Sequence, residues 1–366
     1  MDILVAIDSF KGTISSVELT TIITDHLSKQ GHRVINHPIS DGGEGFIDSL
    51  ALHYKKNFET FHGVGPLMDA LDVSYLTMND TAYLELSQTA GITLIPKSAY
   101  NPLKTSTYGL GLLIKEVIVK GYKNIVVGLG GSATNDGGAG MLQAMGAQFY
   151  HQGSLILSPM NGETLGMVES IDLSQLAILT KDVTFVIASD VKNLLLGQFG
   201  ASHVFAKQKG ATSDDVIKLE SNVNHYAKLI EESTKKISHN TPGSGAAGGV
   251  GFAFLCCLNA KLYSGIDVIM DLLGLDDAIK SSDLVIVGEG KLDEQTMFGK
   301  APYGIAMRAK KYHKKVIGLF GQAHENLIYD FMDSMHTIVP KYASLCDALE
   351  HPKETFINML KDVKIS

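Results

Sequence analysis

The chain of 366 residues contains no tryptophan and only two arginines, Arg33 and Arg308. Any phosphate or carboxylate it holds must therefore rely mostly on lysine, backbone N–H groups, hydroxyls or a metal rather than on guanidinium forks. Cysteine is also scarce. Cys256 and Cys257 are adjacent, Cys346 stands alone, and no Cys-x-x-Cys occurs. That excludes a disulfide framework and a cysteine-built zinc site, and leaves free thiols. A His-Glu-x-x-His pattern is absent, because His324-Glu325 leads to Ile328. Long apolar runs are missing too. Ile3–Ile7 is too short for a signal peptide and lacks a basic leader, and Ala246–Leu258 is broken by glycine. The expectation is a cytoplasmic protein with no membrane partner, in which 246–258 is a buried helix. Positive charge is the minority: Lys+Arg is 31 against Asp+Glu 39, a net charge of −8. A mildly acidic chain is a poor dedicated nucleic-acid binder, so no nucleic-acid partner is expected.

Glycine is in excess, 37 residues or about 10% against the usual ~7%. Twenty-one of them fall in five windows, at 41–46, 128–140, 197–210, 243–251 and 288–304. Glycine lets backbone N–H groups approach a ligand, and a following helix adds partial positive charge. The competing reading is that such glycines merely allow tight turns between strands and helices. That reading weakens where five windows also carry acids, lysines and hydroxyls.

Around these windows, short β-rich runs alternate with helical patterns. Near the start, Asp2–Asp8 and Arg33–Ile39 read as strands, and Ser15–Lys29 and Glu44–His53 as helices. Near the end, strands are expected at Leu284–Val287, Lys315–Phe320 and Thr337–Val339. Helices are expected at Pro302–Tyr312, near Glu325–Met332 and near Leu345–Leu360. This is the βαβ pattern of a parallel sheet covered on both faces. The middle differs: Phe58–Leu86 reads as strands joined by turns, followed by alternating helices and strands and a long helix at Asp214–Lys235. The expected fold is α/β with two domains. One is a doubly wound, Rossmann- or flavodoxin-like parallel sheet built from both chain ends (1–60 plus 280–366). The other is a mixed α/β insertion (61–279), and the active site is expected in the interdomain cleft.

Functional groups gather at strand tips. The first strand ends in Asp8-Ser9-Phe10-Lys11-Gly12-Thr13, and the second in Ser40-Asp41-Gly42-Gly43-Glu44-Gly45. Capping of the next helix is the plain alternative for Thr13, Ser15 and Asp41. Gly128-Leu-Gly-Gly-Ser-Ala-Thr-Asn-Asp-Gly-Gly-Ala-Gly140 follows a strand and precedes a helix, as a phosphate cradle would. Ser189-Asp190-Val191 with Asn193 ends another strand, and Lys207-Gln208-Lys209-Gly210 follows. An acid with lysines suits phosphoryl transfer; a solvated charge cluster is the alternative for Lys207 and Lys209. Gly288-Glu289-Gly290-Lys291-Leu292-Asp293 repeats the theme. Two familiar motifs fail. The Walker A pattern is absent, and Gly243-Ser-Gly-Ala-Ala-Gly248 matches G-x-G-x-x-G by letter but follows a polar stretch, so it reads as a helix start or packing surface.

Taken together and in order, these motifs, with Pro242-Gly-Ser-Gly-Ala-Ala-Gly-Gly249, resemble the bacterial glycerate kinase family, type 1. The resemblance implies a phosphotransferase that uses ATP and Mg²⁺ to phosphorylate D-glycerate. It leaves the 2- and 3-hydroxyls open, with the 2-position favoured, and leaves homo-oligomer formation open. A kinase for another small hydroxy or sugar acid, or a non-catalytic sensor of glycerate or nucleotide, are the alternatives. On this reading Asp190 is the base or hydroxyl-orienting group, and Lys11 and Lys291 meet carboxylate or phosphate charge. Asp41 and Asp293 are candidate Mg²⁺ contacts. Asp8, Ser9, Gly42, Gly43, Gly130, Gly131, Ser132, Thr134, Asn193, Lys209 and Glu289 are candidate substrate- or nucleotide-binding residues. Leu194 and Ala206-Lys207 depart from the family's usual Pro and Gly-Pro.

Overall fold

The computed structural model describes residues 1–39, 45–297, 300–324 and 329–365. The chain divides into two compact units. A terminal unit comprises 1–41, 48–56 and 265–366, and a central unit comprises 42–47 and 57–264.

The terminal unit is built on a five-stranded, all-parallel sheet. Its spatial order is Ser334–Thr337, Lys315–Ala323, Leu284–Leu292, Asp2–Ile7, Arg33–Asn36. Ile3 to Ile7 and Leu284 to Val287 are buried without interruption, as strands covered on both faces must be. Helix Ser16–Ser28 begins at a capping box formed by Ser15 and Glu18 and lays Leu19, Ile23 and Leu27 on the core. From Asp2–Ile7 the chain crosses to one neighbour, Arg33–Asn36; from Leu284–Leu292 it crosses to the opposite one, Lys315–Ala323. The gap between these two central strands is therefore a topological switch point, where open α/β sheets bind ligands beyond the strand carboxyl ends. The doubly wound sheet from both chain ends is present as expected.

Four local expectations need correction, the simplest being that the strand expected at Thr337–Val339 lies at Ser334–Thr337. The strand beginning at Leu284 runs through the glycine window to Leu292, paired to Lys315–Ala323. A Cβ on Gly288 would lie 2.0 Å from the Leu319 carbonyl oxygen, so glycine here lets two strands meet rather than forming a loop. The last helix is two, Leu345–Glu350 and Pro352–Leu360, because Pro352 cannot continue the first. Tyr329–Met332 contains a turn rather than a helix, and 325–328 lie outside the described residues.

The central unit carries a six-stranded mixed sheet. Its order is Lys261–Tyr263, Thr184–Ala188, Asn124–Gly128, Thr81–Glu85, Ala70–Met78, Glu59–Val64. The first four are parallel; the last two add antiparallel hairpins. A small antiparallel sheet of Gln148–His151, Ser154–Leu155 and Ser170–Asp172 was not foreseen in the sequence. The long helix Ser213–Thr234 starts at a Thr212–Asp215 capping box. It buries Val216, Leu219, Val223, Tyr226, Ala227 and Ile230 along one stripe. The segment Ala246–Cys257, helical beyond a left-handed kink at Ala247, Gly248 and Gly249, is buried almost throughout. Among the described residues no helix is long and apolar enough to cross a membrane.

Candidate functional site

Each unit has a cavity beyond the carboxyl ends of its parallel strands. The terminal-unit cavity, about 260 Å³, lies at the switch point. Asp8, Ser9 and Lys11 reach it from the end of Asp2–Ile7, and Glu289 and Lys291 from Leu284–Leu292; Lys300 joins them. Residues some 280 positions apart meet because Ile7 pairs with Gly288, and the Asp8 N–H continues that ladder by donating to the Gly288 carbonyl at 3.0 Å. Ile338, Val339, Leu345, Ala348 and Leu349 add apolar surface to the lining.

Charge in this cavity is partly solvated. Lys11 is exposed, and Lys291 is exposed while standing 3.6 Å from the Asp293 carboxylate. Glu289 is buried, accepts from the Thr296 hydroxyl and lies 3.8 Å from the Lys300 ammonium. Burial pushes its carboxyl above the usual range; Thr296, Lys300 and Lys11 pull it back, and Asp293 adds to the rise. Asp8 is buried and accepts from the Ser9 N–H at 2.7 Å.

The central-unit cavity, about 300 Å³, is lined by Gly130, Gly131 and Ser132 from the loop after Asn124–Gly128. Gln208 and Lys209 complete its polar side, and Ile92, Leu129, Val191, Phe205 and Ala247 supply apolar surface. Lys207 is exposed, yet Lys209, two residues on, is buried. The short 3₁₀ turn Lys207–Lys209 ends at Gly210 in the left-handed region and directs the second lysine inward. Its ammonium donates to Ser132 Oγ and to the Thr134 carbonyl, both at 2.7 Å. Burial lowers the Lys209 pKa to about 7, against the attraction of Asp136.

Asp136 is fully buried. Its carboxylate accepts from Thr107 N at 2.9 Å, Thr107 Oγ1 at 2.7 Å, Gly138 N at 3.1 Å and Gly140 N at 3.3 Å. Burial raises its pKa while these donors favour the charged form. The loop is held from behind by a second glycine surface: a Cβ on Gly248, already at φ +67°, would lie 2.1 Å from the Thr134 carbonyl oxygen. The 243–251 window thus serves close packing. Thr134 Oγ1 and Asn135 Oδ1 are buried with no hydrogen-bond partner among the described residues.

The remaining expected residues are placed as follows. Asp190, at the tip of Thr184–Ala188, is half-buried, accepts from Ser264 Oγ at 2.7 Å and precedes the cavity-lining Val191. Thr134 contributes through its backbone, under Lys209. Asn193 donates to the Phe199 carbonyl at 2.8 Å and so shapes its own loop. Asp41, Gly42 and Gly43 lie outside the described residues. Lys300, Asp136 and Thr107 were missed. Lys300 stands seven residues beyond Asp293 with no acid or hydroxyl next to it to mark it, and a local reading of the 128–140 window does not say which of its side chains are buried.

Both arginines are engaged elsewhere. Arg33 pairs with Asp2 at 3.1 Å, and Arg308 with Asp267 and Asp276 at 3.0 Å each and Asp271 at 3.4 Å. Neither is among the lining residues of these two cavities. Fold and cavities together define an α/β protein that gathers lysines at the ends of its parallel strands.

Comparison with known proteins makes this specific. The glycerate kinase family model matches residues 3–365. A glycerate kinase of Bacillus subtilis (strain 168) is 37% identical over 100% of this chain and 97% of its own. A glycerate 2-kinase of Escherichia coli (strain K12) is 37% identical over 89% of this chain and 87% of its own. The crystal structure of "putative glycerate kinase 2" from Salmonella typhimurium LT2 superposes with a TM-score of 0.83 at 35% identity, covering 99% of this chain and 96% of that one. The chain belongs to the glycerate kinase family.

Proposed function

We propose that this protein transfers the γ-phosphoryl group of ATP to a hydroxyl of D-glycerate, giving 2-phosphoglycerate. The observation that carries the reading is the terminal-unit cavity. Three lysines and two acids at a sheet switch point share its lining with apolar side chains. A nucleotide has the same two-part character, a flat base beside a polyanion. On this reading Ile338, Val339, Leu345 and Leu349 take the base, and Lys11, Lys291 and Lys300 meet the phosphates. Phosphoryl transfer asks little covalent work of the protein; positioning and charge neutralisation dominate. Asp190 orients the acceptor hydroxyl and takes its proton, with Ser264 fixing one carboxylate oxygen.

Mg²⁺ fits as an ion carried in by the nucleotide. Among the described residues no group of three His, Cys, Asp or Glu side chains forms a metal cage. Kinase Mg²⁺ needs one or two carboxylates plus phosphate oxygens. Asp293 and Asp8 would supply such carboxylates, and when bound the ion would neutralise phosphate charge. The name of the Escherichia coli relative, a glycerate 2-kinase, supports the 2-position. Phosphorus NMR of the product from ATP and D-glycerate tests the reading. A 2-phosphoglycerate resonance is expected; 3-phosphoglycerate would overturn the regiochemistry, and no turnover would overturn the activity.

A further inference from the structure

The terminal-unit cavity has three lysines; the central-unit cavity has Lys209 alone as its cation among the described lining residues. One ammonium cannot balance a triphosphate, but it balances one carboxylate. An ammonium carries three donors. Two are used inside the protein, on Ser132 Oγ and the Thr134 carbonyl, and the third remains for a ligand. Because Ser132 Oγ accepts from Lys209, its own proton is available to donate. The surrounding apolar side chains Ile92, Leu129, Phe205 and Ala247 keep the local dielectric low, which strengthens a single ion pair. Asp136 behind Lys209 already offsets part of the positive charge, so a dianion would be poorly matched.

We propose that the central-unit cavity seats the acceptor's carboxylate, held by the Lys209 ammonium and the Ser132 hydroxyl, and that this pair selects small monoanionic hydroxy acids over their neutral analogues. The inference deepens the kinase reading by naming what recognises the acid. It places Lys209 as a binding residue in a cavity that Val191, the neighbour of Asp190 in the chain, also lines.

The test is calorimetric binding of D-glycerate and its neutral amide, D-glyceramide, to the full chain and to Lys209→Met and Ser132→Ala, alongside ATP turnover. The unsubstituted protein should prefer acid over amide by about 100-fold, the loss that follows when one partner of a buried charged pair is removed. In Lys209→Met, acid binding should fall about 100-fold while amide binding changes less than about threefold, so the preference collapses. If Lys209→Met does not fold, Ser132→Ala decides, with an expected loss of about tenfold in preference. An unchanged preference in a folded variant, or no preference in the unsubstituted protein, overturns the inference. Normal turnover with unchanged preference would refute this assignment and keep the kinase reading. Lys209-dependent acid binding without turnover would do the reverse.

Discussion

The two cavities occupy equivalent places on their sheets, yet they handle charge in opposite ways. In the terminal unit, Lys11 and Lys291 stand largely in water, where each pair interaction is weak and screened by salt. In the central unit, one lysine is buried with its donors directed and its partner acid out of direct contact. The first arrangement suits a flexible, highly charged ligand that brings its own counter-ion. The second suits a small ligand that must be told from near-isosteres, since a desolvated group left unpaired is costly. On the proposed reading, an arginine-poor chain recognises two anions by different means, lysine number in one unit and lysine burial in the other.

Four perturbations probe this contrast, in order of expected effect. Asp190→Asn should lower kcat about 1000-fold, the usual range for losing a general base, with the fold intact because an amide oxygen can still accept from Ser264. Near-normal turnover in a steady-state assay would remove Asp190 from the mechanism. Gly248→Ala should cost roughly 3 kcal/mol in urea unfolding, since a Cβ would strike the Thr134 carbonyl in a left-handed backbone position. A loss below about 0.5 kcal/mol would show that the loop under Lys209 is not tightly packed.

The third probe is pH. Burial brings the Lys209 pKa down to about 7, and a bound carboxylate favours its charged form, so binding takes up a proton above that pH. Asp136 is the charged group acting on it, and its hydrogen-bond partners Ser132 and Thr134 do not titrate there. The KM for glycerate should therefore rise as pH increases above about 7, approaching tenfold per unit, while the KM for ATP stays level over the same range. Parallel rises in both would assign the titration elsewhere.

The smallest effect is a control. Glu163 is half-exposed and accepts from Lys104 and, at 2.8 Å, Lys218, which hold its carboxyl down to about 2. Its contribution is present above the ordinary carboxylate range and is lost as pH falls toward 2. Solvent screening keeps it small, so Glu163→Gln should cost well under ~1 kcal/mol by thermal melting.

Much of this was legible in the residues. The buried runs Ile3–Ile7 and Leu284–Val287 announced parallel strands, and the acids and lysines that follow each were read as tip residues. Their meeting in one cavity required the register of two strands about 280 positions apart, which alternation cannot supply. The glycine windows were legible as functional places but not in mechanism. Gly288 and Gly248 serve close backbone packing, while the charge is handled by Glu289 and Lys209 beside them. Lys207 and Lys209 are alike in sequence, and only the turn that buries the second one separates them. Asp136 sat in a noticed window, but its donors from Thr107 are long-range.

The division of labour between the cavities is tested most directly by measuring KM for ATP and for D-glycerate in Lys291→Ala and Lys209→Met. Lys291→Ala should raise the KM for ATP about tenfold in a salt-sensitive way and leave that for glycerate within about twofold. Lys209→Met should raise the KM for glycerate about 100-fold and leave that for ATP within about twofold. Crossed effects, with Lys291→Ala acting on glycerate and Lys209→Met on ATP, would contradict the account.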